Sequence, residues 1–206
     1  MASPLGGAPT GEGDSGGMGD GRTLGLVCCA AEGCSTVLEG MILPAQASGW
    51  RVAVTVTPTA ASWWRESGDL ERVGRVTGFP VRWRGRLPSE PSPGPSPDCW
   101  AVAPATANTV AKLALGVADN LALTKVGEAL GAGVPLVLSP RVGPSQVRHP
   151  AWAGHLAVLR SAGVRLVSAE AEDPAIPWSA VLAAVDGLVP APSAPGAERV
   201  GGVRGS

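Results

Sequence analysis

Two hydrophobic periods alternate along this chain. Short, nearly continuous apolar runs, TLGLVC at Thr23–Cys28 and WAVA at residues 100–103, have the pattern of strands covered on both faces of a sheet. Arg51–Val56 is β-branched at every other position, VPLVL at 134–138 is a further buried strand, and AGVRLV supplies another short one from Gly163. Between them the spacing turns helical. Val37, Met41, Ile42 and Ala45 recur on one stripe until Gly49, and a second helix is expected from Thr59 or Ala60. That helix carries Trp63 and Trp64 side by side, so they cannot share a face; one is expected in the core and the other is left for a partner chain, a ligand or the preceding loop. Val110, Leu113, Ala114 and Val117 predict a helix ending near Gly116 to Asp119, followed by helical runs over 121–133, 151–161 and 177–188.

Residues 98–112, DCWAVAPATANTVAK, join these two patterns at one turn. Pro104 is expected to end the strand because it has no donor for the ladder, and the Thr and Asn residues after it either face a ligand or cap the helix. From 68 to 97 the periodicity fails: a short strand is expected around Val81, and LPSEPSPGPSPD at 87–98 reads as a stiff extended or disordered loop, either a lid or a plain insertion. Four strands separated by helical runs with short connections predict an α/β fold, a three-layer αβα sandwich around a parallel, Rossmann-like (flavodoxin-like) sheet.

Composition narrows the class. The 206 residues, 45% hydrophobic with a formal net charge of -1, fit a soluble globular protein with no general attraction for nucleic acid. Residues 1–21 are expected to be a disordered extension, 22–189 one domain, and 190–206 a flexible tail. Arginines gathered between Arg65 and Arg86 make one local surface basic, either a solvated loop or a place for an anionic partner. Cys28, Cys29, Cys34 and Cys99 lack metal-ligand spacing, so no metal site is expected; buried reduced thiols in a cytoplasmic protein are the simpler reading. The opening residues lack a basic segment followed by a long apolar run, and no stretch is long and apolar enough for a membrane span, so neither a secretory signal nor a membrane segment is expected. The first turn, CCAAEG, lacks the three-glycine dinucleotide fingerprint, and no Walker lysine motif occurs.

PATANT at 104–109, continued as VAKLALGVADNLALT, resembles a hallmark of the homo-oligomeric flavin-containing cysteine decarboxylase family, which includes phosphopantothenoylcysteine decarboxylases and peptidyl-cysteine decarboxylases. The order of elements over 24–167 agrees with it. The resemblance implies FMN at the C-terminal edge of the sheet, commonly at a subunit interface of a homo-oligomer, a trimer or a multiple of trimers, with a small molecule or a peptide as substrate. It implies cofactor contacts from Ala30, Ala31, Gly33 and Ser35, from Thr57 and Thr59, and from Ala105, Thr106 and Asn108. Amides and hydroxyls of this kind hold a phosphate without a mobile lysine, and small alanines let a flat ring approach the backbone. A helix cap at Thr106 and a turn bond at Asn108 are the structural alternatives.

The departures matter as much. Family decarboxylases carry a catalytic histidine upstream of PATANT, whereas the two histidines here, His149 and His155, lie downstream. Where the family has Met-Asn in a proline turn, with the Asn on the substrate carboxylate, this chain has Val142-Gly143 in PRVGPSQVRHPAW. Arg141 and Gly143 are therefore the substrate-side candidates, with Arg141 either on an acid or at the surface. His149 reads as a turn residue or a catalytic one, and His155 is expected off its face. The chain is expected to be an FMN-binding flavoprotein, catalysing flavin-dependent oxidation or decarboxylation with a divergent active site; the alternative is an inactive FMN-binding or regulatory partner subunit.

Overall fold

A computed structural model describes residues 21–87, 89–90, 94–167 and 176–191 of the chain. The extension and tail expected at the two ends, and part of the proline-rich loop, lie outside the described residues. Five parallel strands form one sheet in the order β2-β1-β3-β4-β5: β1 Thr23–Cys28, β2 Arg51–Val56, β3 Cys99–Ala105, β4 Leu136–Pro140 and the two-residue β5 Arg165–Leu166. The fifth strand is the short run after Gly163, so the sheet has one strand more than the four that alternate plainly with helices.

Helices cover both faces. On one side, a π-helical turn at Leu38–Ile42, α1 Leu43–Ala47, α2 Pro58–Ser67, α3 Asp69–Thr77 and, near the end of the chain, Trp178–Leu188 pack on Leu24, Leu26, Val52 and Val54. On the other, α4 Ala107–Ala114, α5 Leu121–Gly131 and the later helix Trp152–Ser161 pack on Val27, Trp100, Val102 and Leu138. The remaining helices are numbered α6 Pro144–Val147, α7 Trp152–Ser161 and α8 Trp178–Leu188. All six residues of β1 and all seven of β3 are buried, which is why their sequences lack polar alternation. Gly25 makes room for the Trp100 indole; a Cβ there would stand 2.5 Å from the ring.

Four expectations need correction. Pro104 does not end β3: a proline lacks the donor but keeps its acceptor, and its carbonyl takes the Cys29 N–H at 3.1 Å, carrying the strand to Ala105 across a register shift after Val102. Residues 69–77 are helical although no period stood out, because Leu70, Val73 and Thr77 form a narrow buried stripe among charged neighbours. The helix after the PATANT turn stops at Ala114, leaving Val117 outside the stripe and exposed. The strand expected near Val81 is a single bridge between Thr55 and Arg82. Of the paired tryptophans, Trp64 is buried and Trp63 is 48% exposed.

Candidate functional site: the C-terminal rim of the sheet

In the strand order seen here the chain leaves β1 toward β2 and returns on its other side as β3. The loops after β1 and β3 therefore diverge onto opposite faces and leave a crevice, the place where open α/β sheets bind ligands. Backbone bonds stitch the crevice together. Thr57 N–H donates to the Cys28 carbonyl at 3.1 Å, Cys29 N–H to Pro104 at 3.1 Å, and Arg141 N–H to Ala105 at 2.8 Å. The strand ends and the residues just after them thus stand in one row along the rim, and every candidate site residue lies at a strand end, on one of these four loops or in the first turn of the helix that follows.

The β1 loop is small and tightly turned. Ala30 and Ala31 are half-buried, Ala31 N–H donates back to Cys29, and Gly33 has a φ of 81° with Ile176 so close that a Cβ would stand 2.8 Å from its terminal methyl. Ser35 is exposed at the start of the following turn, and Thr36 donates to Gly33 while accepting from the Trp178 indole at 2.9 Å. After β2, Thr57 is half-buried at the N-cap of α2 but its hydroxyl makes no cap bond, and Thr59 is exposed one residue into the helix. Both hydroxyls are left for something other than the helix.

At the end of β3, Ala105 is fully buried. Thr106 caps α4 by accepting the Thr109 N–H at 3.4 Å, so the structural alternative for this residue is realised; its hydroxyl also lies 3.1 Å from that of Thr109. Thr109 in turn meets the Cys29 thiol at 3.2 Å, which ties the loop after β1 to the loop after β3 from below. The turn bond considered for Asn108 does not form: its side chain is exposed, with no hydrogen-bond partner among the described residues. On the β4 loop, the Arg141 guanidinium pairs with Glu32 at 2.7 Å, and Gly143 is exposed at the start of α6. Arg141 therefore meets a carboxylate of its own chain across the mouth of the crevice.

None of the four thiols is poised for chemistry. Burial pushes Cys28 and Cys29 up from the usual thiol range, in Cys29 against the lowering effect of the Thr109 hydroxyl; burial also raises Cys34, and it takes Cys99 to about 12. Cys29 acts as a packing and hydrogen-bonding group instead. Among the described residues no group of His, Cys, Asp and Glu could hold a metal ion. His149 uses Nδ1 to accept the Ala151 N–H at 3.2 Å, a turn bond as expected, yet it shares a cleft with His155 beside the first turn of α4. Sequence reasoning missed three participants in the rim: Glu32, Thr109 and Cys29. Only Thr109 left a signal, as a polar residue on the apolar stripe of α4.

Comparison with known proteins gives the family and the fold. A family model described as Flavoprotein matches residues 43–189. The chain belongs to the flavoprotein family. Its matched span contains the loops after β2, β3 and β4, while Ala30 to Ser35 lie just ahead of it. Among curated flavoprotein relatives, a cysteine/cysteine sulfinic acid decarboxylase from an unknown prokaryotic organism is 39% identical over 83 residues, 40% of this chain and 22% of that protein. A probable phosphopantothenoylcysteine decarboxylase of Streptococcus mutans serotype c is 35% identical over 89 residues, 43% of this chain and 45% of that protein. The chain thus aligns with less than half the length of either. In three dimensions it is similar to the FMN-dependent cysteine decarboxylase SpaF, with a TM-score of 0.61 and 22% identity over 81% of this chain and 98% of that one. It is also similar to the FMN-dependent cysteine decarboxylase TvaF from thioviridamide biosynthesis, with a TM-score of 0.58 and 26% identity over 79% and 94% of the two chains. The fold of this flavoprotein is therefore that of the solved decarboxylases.

Proposed function

We propose that this flavoprotein binds FMN along the C-terminal rim of its sheet and uses it in the oxidation or decarboxylation of a small molecule or peptide bearing a thiol. The observation that carries the proposal is the stitched row of four loop starts at the β1/β3 crevice. It offers small surfaces at Ala30, Ala31, Gly33 and Ala105, and polar groups of Ser35, Thr57, Thr59 and Asn108 that are not used up by the fold. The donor set fits the group. A phosphate needs amides and hydroxyls, and a flat ring needs a wall without side chains standing in its way. The first turns of α2 and α4 also open on this rim, and their leading amides lack acceptors within the helix. Thr106 serves this arrangement by fixing the first turn of α4, held in place by Thr109 and Cys29.

When bound, flavin supplies an acceptor for two electrons and a proton. The chain's own residues hold the cofactor and present a substrate acid near Arg141. That role requires the guanidinium to be shared with, or released from, Glu32. The alternative, a catalytically silent FMN-binding or regulatory subunit, draws support from this engaged guanidinium and from the lack of a histidine between Gly49 and Pro104. We further propose a homo-oligomer, a trimer or a multiple of trimers, to which the exposed Trp63 and Leu115 supply apolar surface. A cytoplasmic location suits four buried free thiols, and among the described residues no helix is long and apolar enough to cross a membrane.

The test is spectroscopic. Purified protein is expected to be yellow and to release FMN on denaturation, and Asn108→Ala is expected to weaken retention. Anaerobic addition of a cysteine-terminated peptide or a small thiol acid should bleach the flavin band with release of carbon dioxide. A yellow protein that no such thiol bleaches leaves the silent-subunit reading in its place.

A further inference from the structure

A hollow opens on the flank of the sheet, at its β2 edge. It measures about 140 Å³, a volume that takes a single benzene-sized ring. Residues 53–55 of β2 line it from the sheet, Leu121 and Lys125 from α5, and Phe79, Arg82 and residues 94–97 from the segment that runs along the edge.

Strand register decides which side chains face it. Gly25 pairs with both Ala53 and Trp100, so these residues share the face of the sheet that α5 covers, and Thr55, two positions on from Ala53, shares it too. A Cβ at residue 25 would stand within 2.8 Å of three atoms of the Trp100 indole, so the ring lies flat across β1, and it lines the hollow from there. Arg82 is locked beside Thr55: its N–H donates to the Val54 carbonyl at 3.0 Å and its carbonyl accepts the Val56 N–H at 2.7 Å, the two bonds of a parallel bridge. Bridged residues put their side chains on one face, which brings Arg82 and Thr55 together.

The polar groups here are not used by the fold. Thr55 is only 6% exposed, yet its hydroxyl has no hydrogen-bond partner among the described residues. The Arg82 guanidinium meets no carboxylate among them and makes one long bond, 3.5 Å, to the Arg84 carbonyl. Lys125 meets Glu128 at 3.3 Å in an exposed pair on its own helix, a contact of little weight. No acid lines the hollow.

Two cations and an unpartnered buried hydroxyl, set among aromatic and proline side chains, select a negative charge on a flat body. We infer that the hollow between the β2 edge and α5 binds a small planar organic oxyanion, its ring against Trp100 and its charged end at Arg82 and the Thr55 hydroxyl, with Lys125 alongside. A guanidinium fork matches two oxygens of a carboxylate or a phosphate, and the hydroxyl adds a donor next to it. None of the candidate flavin contacts lines the hollow, so the inference does not rest on FMN at the rim.

The test follows the ligand. Full-length protein is titrated, in excess FMN so that a flavin site at the rim is filled, with 4-fluorobenzoate, 4-fluorophenyl phosphate and the neutral 4-fluorobenzyl alcohol, and the fluorine resonance of each is recorded. Saturable broadening with at least one anion and none with the alcohol is expected; which anion binds tells a carboxylate from a phosphate ester. Arg82→Gln should weaken binding roughly tenfold or more, and Thr55→Val and Lys125→Gln roughly threefold or more. Lys125→Gln alters an exposed side chain and carries the test should Arg82→Gln fail to fold. Gln146→Glu changes the charge at the other end of the sheet, in the cleft of His149 and His155, and should leave affinity within about twofold of the parent. Equal broadening with the alcohol, no saturable effect of either anion, unchanged affinity in both Arg82→Gln and Lys125→Gln, or an equal loss in Gln146→Glu would overturn the inference. Flavin content, read separately by absorbance, reports on the rim and is expected to match the parent in Arg82→Gln, Lys125→Gln and Gln146→Glu.

Discussion

The crevice between the loops after β1 and β3 and the cleft behind the loop after β4 are neighbours built on different principles. In the crevice the backbone does the shaping: strand ends are bonded to each other, residues are small, and a hydroxyl network, Cys29 to Thr109 to Thr106, ties the loops after β1 and β3 together from below. In the cleft, side chains do the shaping, on short helices that are mostly exposed. The difference teaches which parts of the molecule tolerate change. A site made of backbone is coupled to the fold, so its variants lose stability and ligand together. A site made of exposed side chains can change its ligand while the fold is left alone.

Raising the pH should draw on stability held in the first region and not in the second, because Cys28, Cys29 and Cys34 end or follow β1 and no thiol lines the cleft. The folded state holds these protons above the unfolded thiol value of about 8.5, so their contribution is fully present below that pH and is lost as pH rises beyond it. Each thiol that stays protonated then costs up to about 1.4 kcal/mol per pH unit. Denaturant melts at pH 7 and at stepped alkaline values should show this slope, and Cys29→Ala should reduce it.

Gly33→Val is expected to cost about 2–4 kcal/mol, from the left-handed backbone and the overlap with Ile176, and to lose flavin at the same time. Thermal melting and released-flavin absorbance read the two effects in one sample. Thr109→Val keeps the shape but removes the hydroxyl between Cys29 and Thr106; a loss of about 1–2 kcal/mol with weakened flavin retention is expected. His149→Gln, on an exposed turn, should stay within about 0.5 kcal/mol of the parent in stability and keep its flavin. A large loss of either would erase the contrast between the regions.

The same contrast explains what the sequence made legible. β1, β2 and the PATANT turn could be read because buried strands leave runs of apolar residues, and because a proline followed by Thr and Asn marks a strand-to-helix junction. The boundary was misplaced at Pro104, since residue type reveals a missing donor but not an acceptor still in use. α3 stayed hidden because three buried positions among Asp, Glu and Arg give too thin a stripe. The candidate rim residues come from the family resemblance; that they fall at strand ends and at the starts of the following loops and helices is seen only in the structure. Glu32 opposite Arg141, Thr109 under Thr106 and the shared cleft of His149 and His155 depend on contacts across more than one element, which no local spacing encodes.

The central claim is that the row of loop starts at the β1/β3 crevice holds FMN, and fluorescence titration tests it most directly. Cofactor-stripped protein is titrated with FMN in parallel with its Thr109→Val and Gln146→Glu variants. The account predicts saturable quenching at one flavin per chain, weakened in Thr109→Val and unchanged in Gln146→Glu. Free-flavin fluorescence undiminished by the parent protein, or a loss confined to Gln146→Glu, would contradict it.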